Sequence, residues 1–350
     1  METKALLRFL LPVAVGLATA SAATVQTSDI QGLLRVSAPA NTDTIVSPVF
    51  SRTPVWTGAV QTVSGNRVTV AGTPGWTANQ FTPGADTYYV RARGGALNGL
   101  FFTVVSNDAT SLVLDNAGFN LSQFTTGDSL ELVPYWTLGT LYPASQAGTS
   151  FVATAAPLVH QTELLVYDAN GVGVNRPASA TYFHYNGAWR KNGAATTLSF
   201  NNVVIGPDSY LLQRNKAAAT TLVRSGRVHP GRISTVLEAF PTAAQDNLVA
   251  VGYPIDVTLR QTGIGGSAAF ATTTSALSPK DEILVYNTAQ TGINRAPSAV
   301  YIYFNNGWRK LGTGLDVDFS DSVTLPAGAG FIVRKVAAAT AAVWNYDTNL

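Results

Sequence analysis

The chain has 350 residues, of which 46% are hydrophobic and only 12% charged, a formal net charge of +2 and no cysteine. The charged share is about half that of an average soluble protein, so the surface must be largely neutral and polar. Disulfides, thiolate metal sites and thiol catalysis are excluded together, and the absence of clustered Lys and Arg argues against nucleic acid as a partner.

Lys4 and Arg8, an apolar run over 9–18 and then Ala20-Ser21-Ala22 form the pattern of a cleavable secretory signal spanning 1–22. Pro12 and Gly16 interrupt that run, which is too short for a membrane span, and no later stretch is long enough to cross a bilayer as a helix. The mature chain is therefore expected to be exported without a transmembrane span. Without a cysteine it cannot carry a lipoprotein anchor, and no sorting tail is visible after Trp344, so any attachment to the surface would be non-covalent.

Beyond the signal, short runs rich in Val, Thr, Tyr and Phe alternate with Gly, Asn, Asp and Pro clusters, the signature of antiparallel β structure. A hairpin is expected over 58–72 with its turn at Ser64-Gly65-Asn66. Further strands are expected at 88–90, 100–105, 111–114 and 130–133, with a turn at Asn107-Asp108. These would make an N-terminal β domain over 23–138. A transmembrane β-barrel is disfavoured, because the runs at 164–167 and 331–333 are short and apolar on both faces.

From Phe151 onward the chain repeats itself. Glu163-Leu164-Leu165-Val166-Tyr167 returns 119 positions later as Glu282-Ile283-Leu284-Val285-Tyr286, and Trp189-Arg190-Lys191 as Trp308-Arg309-Lys310. Over the gapless stretch that these bound, 14 of 29 positions are identical, including Asn175-Arg176 and Asn294-Arg295. After a one-residue shift the match runs through Arg214 and Arg334 to Thr220 and Thr340. The expected organisation is one β module over 139–226 and a homologous one over 227–350, each a small sandwich or barrel. Ile233, Val236, Leu237 and Phe240 recur at helical spacing between Pro230-Gly231 and Pro241, which predicts a short helical connector. The fold class is thus all-β with one connecting helix.

The segment Val133-Pro134-Tyr135-Trp136-Thr137-Leu138-Gly139-Thr140-Leu141-Tyr142-Pro143, with Thr291-Gly292-Ile293-Asn294-Arg295, the Tyr-rich strand and the Trp-Arg-Lys after it, resembles an uncharacterised family of secreted proteins of Verrucomicrobia-type bacteria. The resemblance implies export from a diderm bacterium, and no activity.

Strand alternation puts Thr181, Phe183 and Tyr185 on one face and Tyr182 and His184 on the other, with Val300, Ile302 and Phe304 opposite Tyr301 and Tyr303 in the second copy. If the first face is the core face, Tyr182, His184, Trp189 and Arg190, and Tyr301, Tyr303, Trp308 and Arg309, past turns at Asn186-Gly187 and Asn306-Gly307, would form aromatic platforms able to stack on sugar rings. The competing reading packs these rings between sheets. Arg176, Arg295, Arg190 and Arg309 recur with Glu163 and Glu282, and one such arginine is expected to pair with the glutamate of its own copy. Asp316, Asp318 and Asp321 have the spacing of a weak calcium loop, although the first copy has Thr197, Ser199 and Asn202 there. His160, His184 and His229 lack ligand spacing, no nucleophile elbow or phosphate loop occurs, and no carboxylate pair is singled out for glycan hydrolysis. No cofactor is expected. The reading is a non-catalytic structural or interaction protein of the cell surface or extracellular space, periplasm or outer membrane included, partnered by itself or by other surface components; the alternative is a polysaccharide-binding protein.

Overall fold

A computed structural model describes residues 29–348 apart from 169, 170, 230, 276 and 339; the segment 1–22, expected to be a secretory signal, lies outside the described residues. The chain is almost entirely β, with no helix among the described residues long and apolar enough to cross a membrane.

Two five-stranded antiparallel sheets have the same order. In the first, Ala188–Lys191, Ala180–Tyr185, Thr162–Val166, Leu211–Asn215 and Thr42–Val46 follow one another; in the second, Gly307–Lys310, Ala299–Phe304, Glu282–Val285, Gly330–Lys335 and Gln245–Ala250 do. Registers correspond pair by pair: Glu163 faces Phe183 and Arg214, as Glu282 faces Ile302 and Arg334. Each sheet is accompanied by a two-stranded ribbon, Gln31–Ala38 with Thr220–Arg227 and Gly231–Leu237 with Ala342–Thr348. Each module has its own core, around Tyr142, Phe151 and Trp189 in the first and Phe270, Trp308, Phe331 and Trp344 in the second.

Between Thr42–Val46 and the short strand Trp136–Thr137 the chain leaves the first module to build a closed six-stranded barrel. Its strands run Trp56–Ser64, Arg67–Val70, Ser111–Leu114, Phe101–Asn107, Tyr88–Ala92 and Ser129–Pro134 around the wall. Val68, Val90, Phe102, Val104, Leu112 and Leu132 fill the interior, so the barrel is a packed core rather than a channel. The expected strands and the hairpin are here. The stretch 31–46, assigned by sequence to the N-terminal domain, instead completes the sheet and ribbon of the first module.

The expected helical connector is a strand. Gly231–Leu237 pairs with Ala342–Thr348 over its whole length. Ile233 and Leu237 point into the core of the second module, whereas Val236 packs on the barrel and the Ser234 hydroxyl donates to Asn98 O, 2.9 Å away. A strand covered on both faces loses the polar–apolar alternation by which strands are read, and its apolar residues fell at helical spacing by coincidence.

Candidate functional site

The aromatic rings lie inside, as the packing reading has it, and form no outer platform. Tyr182 and Trp189 belong to the first core and Tyr301 and Trp308 to the second. His184 is buried, its ring 4.8 Å from Phe151 and 5.4 Å from Trp189. Burial and the nearby Arg190 charge lower its pKa, so the ring stays neutral. Tyr303 packs edge-on against Trp308, over Gly265 and Gly266. The faces are thus the reverse of those expected: the even-numbered rings of 180–185 point to the core, and Phe183 on the other face is buried under His160, stacked at 3.9 Å. The strand carries large apolar groups on both sides, so alternation alone could not choose the inner face. In the second copy the tight turn is Asn305-Asn306, both left-handed, and Gly307 already belongs to the next strand.

Of the four arginines expected to pair with the glutamates, Arg176, Arg190 and Arg295 bond main-chain carbonyls instead. Arg190 donates to Tyr185 O and Asn186 O, closing the turn beside it, while Arg309 is half-buried. Glu163 is held by Lys216 and His160, at 2.7 and 2.8 Å; these bonds outweigh burial, which acts to raise its pKa, and keep the carboxyl below its ordinary value. Glu282 lacks both partners, since Val336 and Pro279 stand in their places, and burial raises its pKa. Its contact is with Arg334, at 3.9 Å. The three aspartates of the suspected calcium loop are otherwise engaged or apart: Asp318 accepts from Trp308 N and from the amide and hydroxyl of Ser320, Asp321 pairs with Arg260, and Asp316 lies beside Gly314. No group of three metal-ligating side chains occurs among the described residues.

Arg176 and Arg295 instead reach across the junction between the modules, where the chain makes a reciprocal clasp. Asp246 of the second module accepts from its own Arg334 through both carboxylate oxygens, at 2.7 and 3.0 Å, and from Asn175 N of the first module at 2.7 Å. Asp43 of the first module accepts from its own Arg214 at 2.7 and 2.9 Å, and from Asn294 N of the second at 2.8 Å. Arg176 donates to Asp246 O at 3.1 Å and Arg295 to Asp43 O at 2.9 Å. Arg334 also holds Asn175 Oδ1, and Arg214 holds Asn294 Oδ1. Each loop turns its amide onto the other module's carboxylate through a left-handed asparagine, Asn175 at φ 51° and Asn294 at φ 53°, a conformation this short polar side chain tolerates. The arrangement has the self-complementary form of a twofold dimer interface, within one chain.

Along the axis of this clasp lies a cavity of about 330 Å³. Ile45 with its cross-strand partner Leu212, and Leu248 with Ile332, make its apolar lining. Tyr167 and Tyr286 face it as a symmetric pair with Arg176 and Arg295, and Tyr210 enters where the second module has Gly330. Tyr210 breaks the symmetry: a Cβ on Gly330 would stand 2.3 Å from its ring. Burial raises the pKa of all three tyrosines, and each is pushed further by its neighbours, so they remain neutral phenols.

Sequence reasoning found Arg176, Arg295, Asn175, Asn294, Tyr167 and Tyr286 as repeated residues but missed Asp43 and Asp246. Those two are 203 positions apart, not 119, because the barrel is inserted within the first module. The usable signal was the weak match of Thr42-Asp43-Thr44-Ile45-Val46 to Gln245-Asp246-Asn247-Leu248-Val249. Comparison of the chain with protein-family models, with curated proteins and with solved structures finds no match.

Proposed function

We propose that this is an exported, non-catalytic structural and interaction protein of the cell surface or extracellular space, built from a tandemly copied β module and self-associating through the outer face of its first ribbon. The observation that carries this reading is a difference between the two ribbons. In the second, Val236 and its partner Val343 are covered by the barrel. In the first, Val223 stands where the second has Val343, and it is exposed together with Leu33, which is 69% accessible, and Arg35 beside them. A surface that one module covers with protein is open in the other, and a monomer gains nothing from leaving it so. Free strand edges do not offer a second route at the outer strands. The edge at Trp189 is closed by Asn201 and Phe200, and that at Trp308 by Asp318 and Phe319.

Sedimentation velocity on the mature chain tests the proposal. The wild type is expected to form concentration-dependent multimers, and Leu33→Lys with Val223→Lys to return it to monomer while leaving the thermal midpoint unchanged. A wild-type chain that stays monomeric, or multimers indifferent to both substitutions, overturns it.

A further inference from the structure

We propose that the cavity between the modules binds a small carboxylated sugar, of the uronic acid type and one or two rings in size. This site is separate from the contact face and does not depend on self-association.

Size comes first. About 330 Å³ equals the volume of roughly ten waters and falls at the lower end of small-molecule pockets. Charge sets the ligand class. Asp43 and Asp246 line the cavity, but each is neutralised by a two-pronged bond from Arg214 or Arg334. Among the described residues Arg176 and Arg295 bind only main-chain carbonyls through Nη1 and Nη2, to Asp168 O and Asp246 O in one case and Asn287 O and Asp43 O in the other. Neither Arg176 nor Arg295 is paired with a carboxylate among the described residues, so positive charge remains at the cavity even with Glu282 beside Arg334 at 3.9 Å, and each guanidinium keeps donors beyond those two bonds. A guanidinium matches a carboxylate in shape and charge, so an anion is favoured over a neutral molecule.

The tyrosines set the rest of the ligand. Tyr210 is 94% buried by its neighbours, being 6% accessible, and faces the cavity with Tyr167 and Tyr286. Among the described residues none of the three hydroxyls bonds to a protein group, and no hydrogen bond contributes to their raised pKa values. None of these oxygens is sealed off by protein, so each keeps its bonding capacity open towards the cavity. Three hydroxyls that can each donate or accept, set on flat rings above an apolar lining, suit a ring molecule with an apolar C–H face and a rim of hydroxyls. The ligand that satisfies all of these together is a pyranose bearing a carboxylate.

The test is isothermal titration of the mature protein with galacturonate, glucuronate and digalacturonate, beside galactose and cyclohexanecarboxylate. The uronates are expected to bind, the neutral sugar and the unhydroxylated acid about tenfold or more weakly, as each lacks one of the two matched features. Tyr210→Phe removes only a hydroxyl and should weaken uronate binding about tenfold while leaving the unliganded thermal midpoint in place. Arg176→Lys should weaken it further and raise the salt dependence of what remains. No uronate binding at about 10 mM ligand, a concentration that detects even weak complexes, overturns the proposal. So does galactose binding as tightly as galacturonate, or uronate affinity unchanged in Tyr210→Phe.

Discussion

The two modules solve one structural problem in two chemistries, and exchanging them is a sharp experiment. In the second module the Lys335 ammonium is buried against Asp281, itself wholly inaccessible, and also donates to Ala269 O. Asp281 further accepts from Ala271 N at 2.7 Å and Val336 N at 2.9 Å. At the equivalent joint of the first module the same job falls to neutral groups. The Thr162 hydroxyl accepts from Val152 N at 2.9 Å and donates to Asn215 Oδ1 at 2.8 Å. Removing one member of a buried pair leaves an uncompensated charge and costs about 3–5 kcal/mol. Lys335→Asn and Asp281→Thr should each lose about that much. The double variant recreates the neutral joint and should lie within about 2 kcal/mol of wild type, because replacing both charges removes the desolvation penalty along with the attraction. The shortfall from wild type then reflects Val333, which stands where Gln213 adds a bond to Asn215 in the first module. Urea denaturation followed by tryptophan fluorescence, with equal m values across the set, gives the four stabilities. A coupling of about 3 kcal/mol or more is expected from the cycle. If the double variant falls by the sum of the two singles, the two joints are neither interchangeable nor structurally equivalent.

Asp208 lies at the meeting of barrel and modules, where burial pushes its carboxyl up to about 6 against the favourable charge of Arg91. An acid whose folded pKa is raised is stabilising only while protonated, so its penalty grows as pH rises from about 4 to about 6 and is constant above, reaching at most about 3 kcal/mol. Asp208→Asn should therefore raise the thermal midpoint at pH 7 and leave it near wild type at pH 4; an equal difference at both values would show that the carboxyl is not buried as described. In the clasp, Asp246→Ala leaves Arg334 half-buried with only the looser Glu282 contact and Asn175 N without its acceptor, and should cost about 3 kcal/mol. Asp43→Ala should match it, since the bonds correspond one for one, and unequal losses measured by urea titration would refute the reciprocity. Gly330→Ala should cost about 1–3 kcal/mol through the Tyr210 ring 2.3 Å from the new methyl, and little once Tyr210 is also replaced by alanine. A loss of the same size in that second background would place the obstruction elsewhere.

Much of the fold was legible because β structure announces itself locally. The strand 111–114 and the turn at Asn107-Asp108 fell where turn residues and β-branched runs put them. What failed had a common cause, burial on two faces. Gly231–Leu237, between barrel and second module, and Ala180–Tyr185, with Phe183 under His160 and Tyr182 in the core, both lack the solvent-facing side that gives a strand its readable period. The site was half legible. Its arginines, asparagines and two tyrosines recur visibly, but Asp43 is separated from its module by a whole barrel, and Tyr210 matters because it does not recur.

Tyr210 bears on how the cavity arose and on what it is used for. A twofold clasp needs nothing from position 210: the bonds among Asp43, Asp246, Asn175, Asn294, Arg176 and Arg295 would close equally well with glycine on both sides. The modules pack through the clasp and through the paired main-chain bonds Ser47 N to Gly328 O and Ala250 N to Asp208 O, which are equivalent positions on either side of the axis. Against that symmetric frame, one bulky phenol directed into the central cavity, facing a glycine that leaves it room, is a feature that packing alone does not require. A cavity with strict twofold symmetry presents the same groups from both sides and cannot fix the direction of an asymmetric ligand. Tyr210 gives it two distinguishable ends, and orientation of a bound molecule is what such a difference supplies.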